Sequence, residues 1–155
     1  REDFEEKLTA EKFDMLQRYM ADGGDVTLRA MQGLSRDEQQ DILEYLRDCP
    51  LYETLRIDER AFILVHSGLG DFSPKRHIED YSMEDLLWTQ PELTDEYYKN
   101  ILTVLGHTPT FFFGDQYKDK IVRTETWLAV DMGAGFGREP VLLRLDDMAE
   151  FRMDA

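Results

Sequence analysis

The sequence predicts an α+β fold in which N-terminal helices are followed by a mostly antiparallel sheet. Before residue 50, apolar residues recur at helical spacing. After it they form short alternating or continuous runs separated by Gly- and Asp-containing turns. A length of 155 residues suits one ordinary domain. We therefore expect a single domain unit, helical over residues 1–50 and rich in strands over residues 51–155.

The first predicted helix covers residues 2–21. Phe13, Leu16 and Met20 repeat at helical spacing among charged residues, which is typical of an amphipathic helix. The Gly-Gly pair at 23–24 is expected to end it, because glycine tolerates the left-handed backbone angles found at helix ends.

A second helix is predicted over residues 36–48. Ser35 and Glu38 have the spacing of a capping box, in which the side chain of each residue bonds the backbone amide of the other. An apolar face follows, and Pro50 prevents the helix from continuing.

The pattern then changes to that of a hairpin. Residues 51–57 alternate loosely, Asp58-Glu59-Arg60 forms a charged turn, and residues 61–65 are a continuous apolar run. The second strand is therefore expected to be buried on both faces.

Shorter elements are predicted in the rest of the chain. Ser82 is a candidate cap for a short helix that ends at Trp88, residues 94–100 have a similar helix-like pattern, and residues 101–105 form a second buried strand. Further strands are predicted over residues 120–123, 126–130, 141–145 and 150–153, in the manner of an antiparallel meander.

Composition excludes several classes of protein. Asp and Glu outnumber Lys and Arg by 33 to 18, and a net charge of −15 would repel nucleic acid. Cys49 is the single cysteine, so no internal disulfide can form, and no run of about 18 apolar residues predicts a membrane span. We expect a cytoplasmic protein without nucleic-acid or membrane partners. Because Arg1 stands where an initiator methionine would, we also expect a longer parent protein.

Two predicted strands end in histidine. His66 precedes Ser67-Gly68, and His107 follows Gly106 and precedes Thr108-Pro109. Neutral imidazole is the commonest metal ligand in proteins, and two such groups on neighbouring strands could bind the same ion. Alternatively, each is a hydrogen-bonded histidine at the edge of the core. His77 lies in a mixed-charge stretch that is typical of a solvated loop.

Three other features of the sequence do not indicate a functional site. The glycines of residues 131–137 do not match a nucleotide-binding pattern, and a turn with positive φ explains them better. The aromatic run at residues 111–113 is expected in the core. Cys49 has no neighbouring basic residue that would make it a nucleophile.

The histidine segments resemble a known family. Residues 62–69 resemble the vHaG segment, and residues 106–110 the GHTP segment, of the phosphoprotein phosphatases among the calcineurin-like metallophosphoesterases. Flanking pieces follow the order of that family, and the resemblance covers roughly residues 20–153 and is closest to bacterial members. These pieces are Asp22-Gly23-Gly24 with Thr27, the helix before Pro50, Asp85-Leu86-Leu87-Trp88, Val130-Asp131-Met132-Gly133-Ala134 and Leu143-Arg144-Leu145-Asp146.

The resemblance implies the C-terminal part of a four-layer αββα sandwich that binds two divalent metals (Mn, Fe or Zn) and hydrolyses phosphoserine or phosphothreonine with a metal-bridging hydroxide. His66 and His107 would both ligate one of the metals. The residues expected to support them are Ser67, Gly68, Gly106, Thr108 and Asp131. Asp131 could accept a ring proton from a ligating histidine, or it could serve only in a turn.

Three further segments of the family, G-D-x-H-G, G-D-x-x-D-R-G and G-N-H-E, have no match in this chain. The Gly-Asp pairs at residues 24, 70 and 114 lack the histidine that should follow. The catalytic residues are therefore expected in a missing N-terminal half, and this chain alone is expected to be inactive. Gln90 also stands where many relatives have a phosphate-binding arginine. Either Arg76 or the missing half supplies that charge, or the parent protein is a weak or divergent phosphatase.

Two alternatives stay open. The chain could be a non-enzymatic binding module or pseudophosphatase, or its parent could hydrolyse a small phosphoester such as a dinucleoside polyphosphate. A truncated sheet would also expose unpaired edges, so we expect homodimerisation through them.

Overall fold

The computed structural model describes residues 9–152. It divides into two compact units, one ending at Cys49 and the other beginning at Pro50. The boundary falls where the described elements change from helices to strands.

The N-terminal unit contains α1 (Ala10–Ala21), α2 (Gly24–Gln32) and α3 (Arg36–Asp48). Helix α1 is capped by the Thr9 hydroxyl, which accepts a hydrogen bond from the Lys12 amide. The predicted first helix is thus present from Ala10, and residues 2–8 lie outside the described part.

Helix α2 was not expected, because the Gly-Gly pair was interpreted only as a stop. Gly23 has a left-handed φ of +87°, which does end α1, but α2 begins at the next residue. A Cβ atom at Gly24 would lie 2.4 Å from the Tyr19 ring. Glycine is therefore needed here to let the ring pack against the start of α2.

The capping box of α3 is confirmed. The Ser35 hydroxyl accepts a hydrogen bond from the Glu38 amide, and the Glu38 carboxylate accepts one from the Ser35 amide at 2.8 Å. The helix ends at Asp48, before Pro50, as predicted.

The C-terminal unit is built on a five-stranded mixed sheet and a separate two-stranded sheet. The first contains β1 (Tyr52–Ile57), β2 (Arg60–Val65), β3 (Ile101–Leu105), β4 (Val122–Arg123) and β5 (Trp127–Ala129), in the spatial order β1-β2-β3-β5-β4. The second contains β6 (Val141–Leu143) and β7 (Glu150–Arg152). Each predicted strand is present, mostly shortened at its ends; Met153 lies outside the described residues.

The prediction of a mostly antiparallel sheet is wrong for the central strands of the five-stranded sheet. Strands β1 and β2 form the predicted antiparallel hairpin, but β2 pairs with β3, and β3 with β5, in parallel. The connection from residue 66 to residue 100 is long enough to return the chain to the start of the sheet, as a parallel crossover requires. The C-terminal ends of three neighbouring strands therefore lie at one edge.

The main core lies on one face of this sheet. Val65, Leu105 and Trp127 project from its strands and pack with Leu86 and Tyr97 from the connections. Leu86 belongs to α4 (Met83–Leu87), whose N-terminus has the predicted Ser82 cap and a full capping box with Asp85. The opposite face packs against a smaller cluster around Leu128 and Met132.

The helix-like pattern of residues 94–100 does not form a helix. Its backbone is held instead by the core: the buried Thr126 hydroxyl accepts a hydrogen bond from the Tyr97 amide at 2.8 Å, and the Trp127 indole N–H donates to the Asp95 carbonyl at 3.0 Å. Tertiary hydrogen bonds thus overrule the local pattern. Among the helices described for residues 9–152, none is long and apolar enough to cross a membrane.

Candidate functional site

The two predicted histidines meet at the C-terminal edge of the mixed sheet. His66 follows the last residue of β2, and His107 lies two residues beyond the end of β3. Their rings are 4.8 Å apart between centroids, and His66 Nε2 lies 3.0 Å from His107 Nδ1. The parallel pairing of β2 with β3 places both strand ends at one edge and so explains this approach.

His107 reaches His66 only because the chain turns sharply. The register of β2 and β3 places Gly106, not His107, opposite His66, and the Gly106 amide donates to the His66 carbonyl at 3.0 Å. In a continued strand, the next side chain would project from the other face. His107 instead adopts a left-handed φ of +63°, which costs a non-glycine residue about 1–2 kcal/mol. Strain of this kind is characteristic of functional sites.

The spacing of the two nitrogens is that of an N–H···N hydrogen bond, and it also fits two ligands of one ion. Two ring nitrogens that each lie about 2.05 Å from one metal, at the usual bond angles, are about 2.9–3.4 Å apart, and the observed separation is 3.0 Å. His66 as a whole is exposed, but partial shielding of its ring lowers its pKa, and the neighbouring His107 lowers the pKa further. The negative charge of Asp131 raises the pKa of His66, but by less than the other two effects lower it. His66 therefore favours the neutral form, which is the form that can ligate a metal.

Ser67 and Gly68 fix the turn after His66. Ser67 is fully buried, and both its amide and its hydroxyl donate to the Leu86 carbonyl, at 3.0 and 2.9 Å. The Gly68 amide donates to the Thr89 carbonyl at 2.8 Å, and a Cβ atom on Gly68 would lie 3.0 Å from the same oxygen. These contacts join the turn to the end of α4.

The turn after β3 is held less tightly. The buried Thr108 donates its amide to the Gly106 carbonyl at 2.6 Å. A Cβ atom on Gly106 would approach the His66 carbonyl only to 3.6 Å, which is ordinary van der Waals contact. Glycine is therefore not sterically required at residue 106, in contrast to residue 68.

Asp131 lies beside the histidines but is engaged in a turn. Its carboxylate accepts a hydrogen bond from the Gly133 amide at 2.8 Å, and its carbonyl accepts one from the Thr110 amide at 2.8 Å. Within residues 9–152 its carboxylate makes no hydrogen bond to a histidine ring. Of the two roles expected for Asp131, the geometry favours the turn, and its charge reaches His66 only through space.

Trp88 is a part of the site that sequence reasoning missed. Its ring packs edge-to-face on His107, with centroids 5.6 Å apart, and 61% of the residue remains exposed. The sequence predicts that Trp88 ends a short helix, but no local pattern indicates that this helix end lies beside His107.

Arg76 is not free to replace the phosphate-binding arginine expected at residue 90. Its guanidinium bonds the Asp85 carboxylate at 2.8 Å, the Gly70 carbonyl at 3.1 Å and the Asp80 carbonyl at 2.9 Å. It also stacks on the Tyr81 ring, 3.9 Å from the centroid. This guanidinium therefore has a structural role and is not available to bind a phosphate.

The aromatic run and the glycine-rich turn form an exposed ridge beside the site. Phe111 packs edge-to-face on both Phe112 and Phe136, at centroid distances of 4.8 and 5.6 Å. Phe112 is 57% exposed and Phe136 is 67% exposed. Gly133 has the predicted positive φ, +86°, and a Cβ there would lie 2.7 Å from the Phe111 ring. The expectation that the whole run is core is thus wrong at Phe112.

Comparisons with known proteins add no family assignment. No protein-family model, no curated protein and no solved structure matches the chain. In the described residues, 9–152, no group of three or more His, Cys, Asp or Glu side chains is arranged to hold a metal ion. His66 and His107 approach each other, but they are not part of a group of that size.

Proposed function

We propose that this chain is the C-terminal part of a two-metal-dependent serine/threonine protein phosphatase of the calcineurin-like type, with His66 and His107 as ligands of one ion. The observation that carries the proposal is the 3.0 Å separation of two ring nitrogens delivered by neighbouring parallel strands. The left-handed backbone of His107 supports it, because that conformation turns the His107 ring toward His66 at the end of β3.

The roles of the residues follow from their contacts. Ser67 and Gly68 orient His66 through the hydrogen bonds to Leu86 and Thr89, and Trp88 restricts the His107 ring. A pair of divalent ions, when bound, activates water and neutralises the charge of the phosphoryl group. The remaining ligands and the catalytic acid would come from the three segments that this sequence lacks, so the isolated chain is expected to be inactive.

A binding module is the second candidate, and the exposed ridge of Phe111, Phe112 and Phe136 favours it. Large exposed aromatic side chains in contact with one another are typical of protein interfaces. In this case the histidine pair would be structural and the ridge would carry the function.

Metal binding by single-histidine variants separates the two candidates. We would titrate the purified chain with Mn²⁺ and Zn²⁺ by calorimetry and compare His66→Ala, His107→Ala and His77→Ala. The three variants together cover each histidine of the chain. The phosphatase proposal expects weak, substoichiometric binding of one ion by the unsubstituted chain, lost in His66→Ala and His107→Ala and retained in His77→Ala. Equal binding in all three variants would contradict it.

Turnover gives a second, independent check. Hydrolysis of an aryl phosphate by this chain should not exceed that of His107→Ala. Two ions bound per chain with His107-dependent turnover would show that the site is complete within these residues. In a full-length parent, comparing a phosphopeptide with a dinucleoside polyphosphate would then distinguish the two classes of phosphatase substrate.

A further inference from the structure

A second cleft lies at the end of the mixed sheet opposite to the histidines. It has a volume of about 470 Å³ and is lined by residues near the starts of β2 and β3, including Ala61 and Ile101. Ligand-binding pockets usually measure about 300–1,000 Å³. A five-residue strand spans about 16 Å, so this cleft is separate from the candidate metal site.

The floor of the cleft is apolar. Ala61 pairs with Ile101 in the register of β2 and β3, and both project from one face of the sheet together with Ile63. Ile78 and Tyr98 close the opposite wall. Each of these residues except Ile63 is only half-buried, so a bound molecule would remove further apolar surface from water.

The far wall is held in place by its own hydrogen bonds. The Tyr98 hydroxyl donates to the Arg76 carbonyl, and the Arg76 side chain is anchored to Asp85. The segment over residues 74–78 is therefore fixed on both sides, and the cleft exists without a ligand.

The charge of the cleft is opposite to that of the chain. The chain carries 33 acidic and 18 basic residues, yet none of the described residues that line the cleft is acidic, and Arg56, Lys75, Arg76 and His77 all line it. Arg56 is paired with Glu59 and Arg76 with Asp85. The side chains of Lys75 and His77 form no ion pair or hydrogen bond with any residue in the described part. Lys75 therefore supplies positive charge that no acid neutralises.

We propose that this cleft binds an amphipathic organic anion, a carboxylate or phosphate group on an apolar body. The anionic group would pair with Lys75 and accept a hydrogen bond from His77, while the apolar body would cover Ile78, Tyr98 and Ile101. An inorganic anion would leave the floor exposed, and a neutral apolar molecule would leave Lys75 unpaired. The proposal does not depend on the metal site.

The test uses three eight-carbon probes that differ only in their head group. Octanoate, octyl phosphate and octanol would be titrated into the ¹⁵N-labelled chain, with binding followed by amide chemical shifts. For ligands of this size we expect a Kd of about 0.1–1 mM for the better anion. Shifts should concentrate at residues 54–56, 61–63, 74–78 and 98–101, and octanol should bind at least about fivefold more weakly. The stronger of the two anions then identifies the preferred head group.

Variants of Lys75 provide the decisive comparison. Loss of one partly exposed ion pair raises a dissociation constant by a factor of about two to five. Lys75→Gln should therefore weaken octanoate binding by that factor, and Lys75→Glu should weaken it more. Lys118→Gln and Lys118→Glu make the same charge changes outside the cleft and should leave binding unchanged. Equal binding of octanol, shifts centred elsewhere, or equal effects at residues 75 and 118 would overturn the proposal.

Discussion

Gly68 and Tyr97 approach each other so closely that a Cβ atom on Gly68 would lie 2.7 Å from the Tyr97 hydroxyl oxygen. The same hydroxyl accepts a hydrogen bond from the Leu69 amide at 3.1 Å, and burial raises the pKa of Tyr97 to about 12. The phenol is therefore neutral at ordinary pH and is fixed against the turn that carries His66.

This contact predicts different outcomes for two alanine substitutions. Gly68→Ala should lower the free energy of unfolding by about 1–3 kcal/mol, because the added methyl overpacks a closed site. Gly106→Ala should change it by less than about 0.5 kcal/mol, because its new contacts are ordinary. Urea denaturation of both variants measures the difference. Equal losses would mean that the space beside Tyr97 can open.

The left-handed backbone at His107 predicts that a glycine variant is more stable than an alanine variant. Both His107→Gly and His107→Ala remove the ring, but only alanine keeps a Cβ atom at a φ of +63°. The glycine variant should be more stable than the alanine variant by about 1 kcal/mol. Chemical denaturation with metal removed by a chelator is the measurement. If the alanine variant is as stable as the glycine variant, the left-handed conformation of residue 107 is not retained in solution.

Thr103 predicts a stabilising substitution. It is fully buried in β3, and its hydroxyl has no hydrogen-bond partner among residues 9–152. Thr103→Val keeps the shape and removes an unpaired polar group, so it should raise the free energy of unfolding by about 1 kcal/mol. Thr126→Val is the matched control, because that hydroxyl accepts a hydrogen bond from the Tyr97 amide and its loss should destabilise. A decrease in stability for Thr103→Val would indicate a hidden partner for the hydroxyl.

Asp147 predicts a loss of stability in acid. Two hydrogen bonds from the Arg144 guanidinium, at 2.8 and 2.6 Å, lower the pKa of Asp147 to about 2 from 3.8. The folded-state pKa is depressed, so the stabilisation is complete above the unfolded-state value and is lost as pH falls from about 4 to about 2. Thermal unfolding between pH 5 and pH 2 should be less pH-dependent in Asp147→Asn than in the neighbouring control Asp146→Asn. Identical pH dependence in both variants would rule out this ion pair as the cause.

Local chemistry explains which elements could be predicted from the sequence. The caps at Ser35 and Ser82 and the turn at Asp58 each depend on residues within one turn of the chain, and all three are confirmed. Helix α2 was missed because it begins at Gly24, directly after the turn that ends α1, and has no side-chain cap to mark its start.

Long-range pairing explains the rest. The parallel direction of β3 depends on how the connection from residue 66 to residue 100 returns, which no local pattern encodes. For the same reason, the sequence predicted that His66 and His107 could meet but not that a left-handed turn would bring them together. The contact between Phe112 and Phe136 likewise joins residues 24 positions apart, which no local pattern encodes.

The crossover between β2 and β3 also has a kinetic consequence. The β1–β2 hairpin closes over a two-residue turn and can form in about 1–10 μs. Pairing of Ala61 with Ile101 must instead close a loop of about 40 residues before any contact offsets the lost chain entropy. We expect hydrogen-exchange protection to appear in β1 before β3 during refolding. The histidine pair would then assemble only when the whole unit folds, so that partly folded chains present separate imidazoles and cannot capture an ion between them.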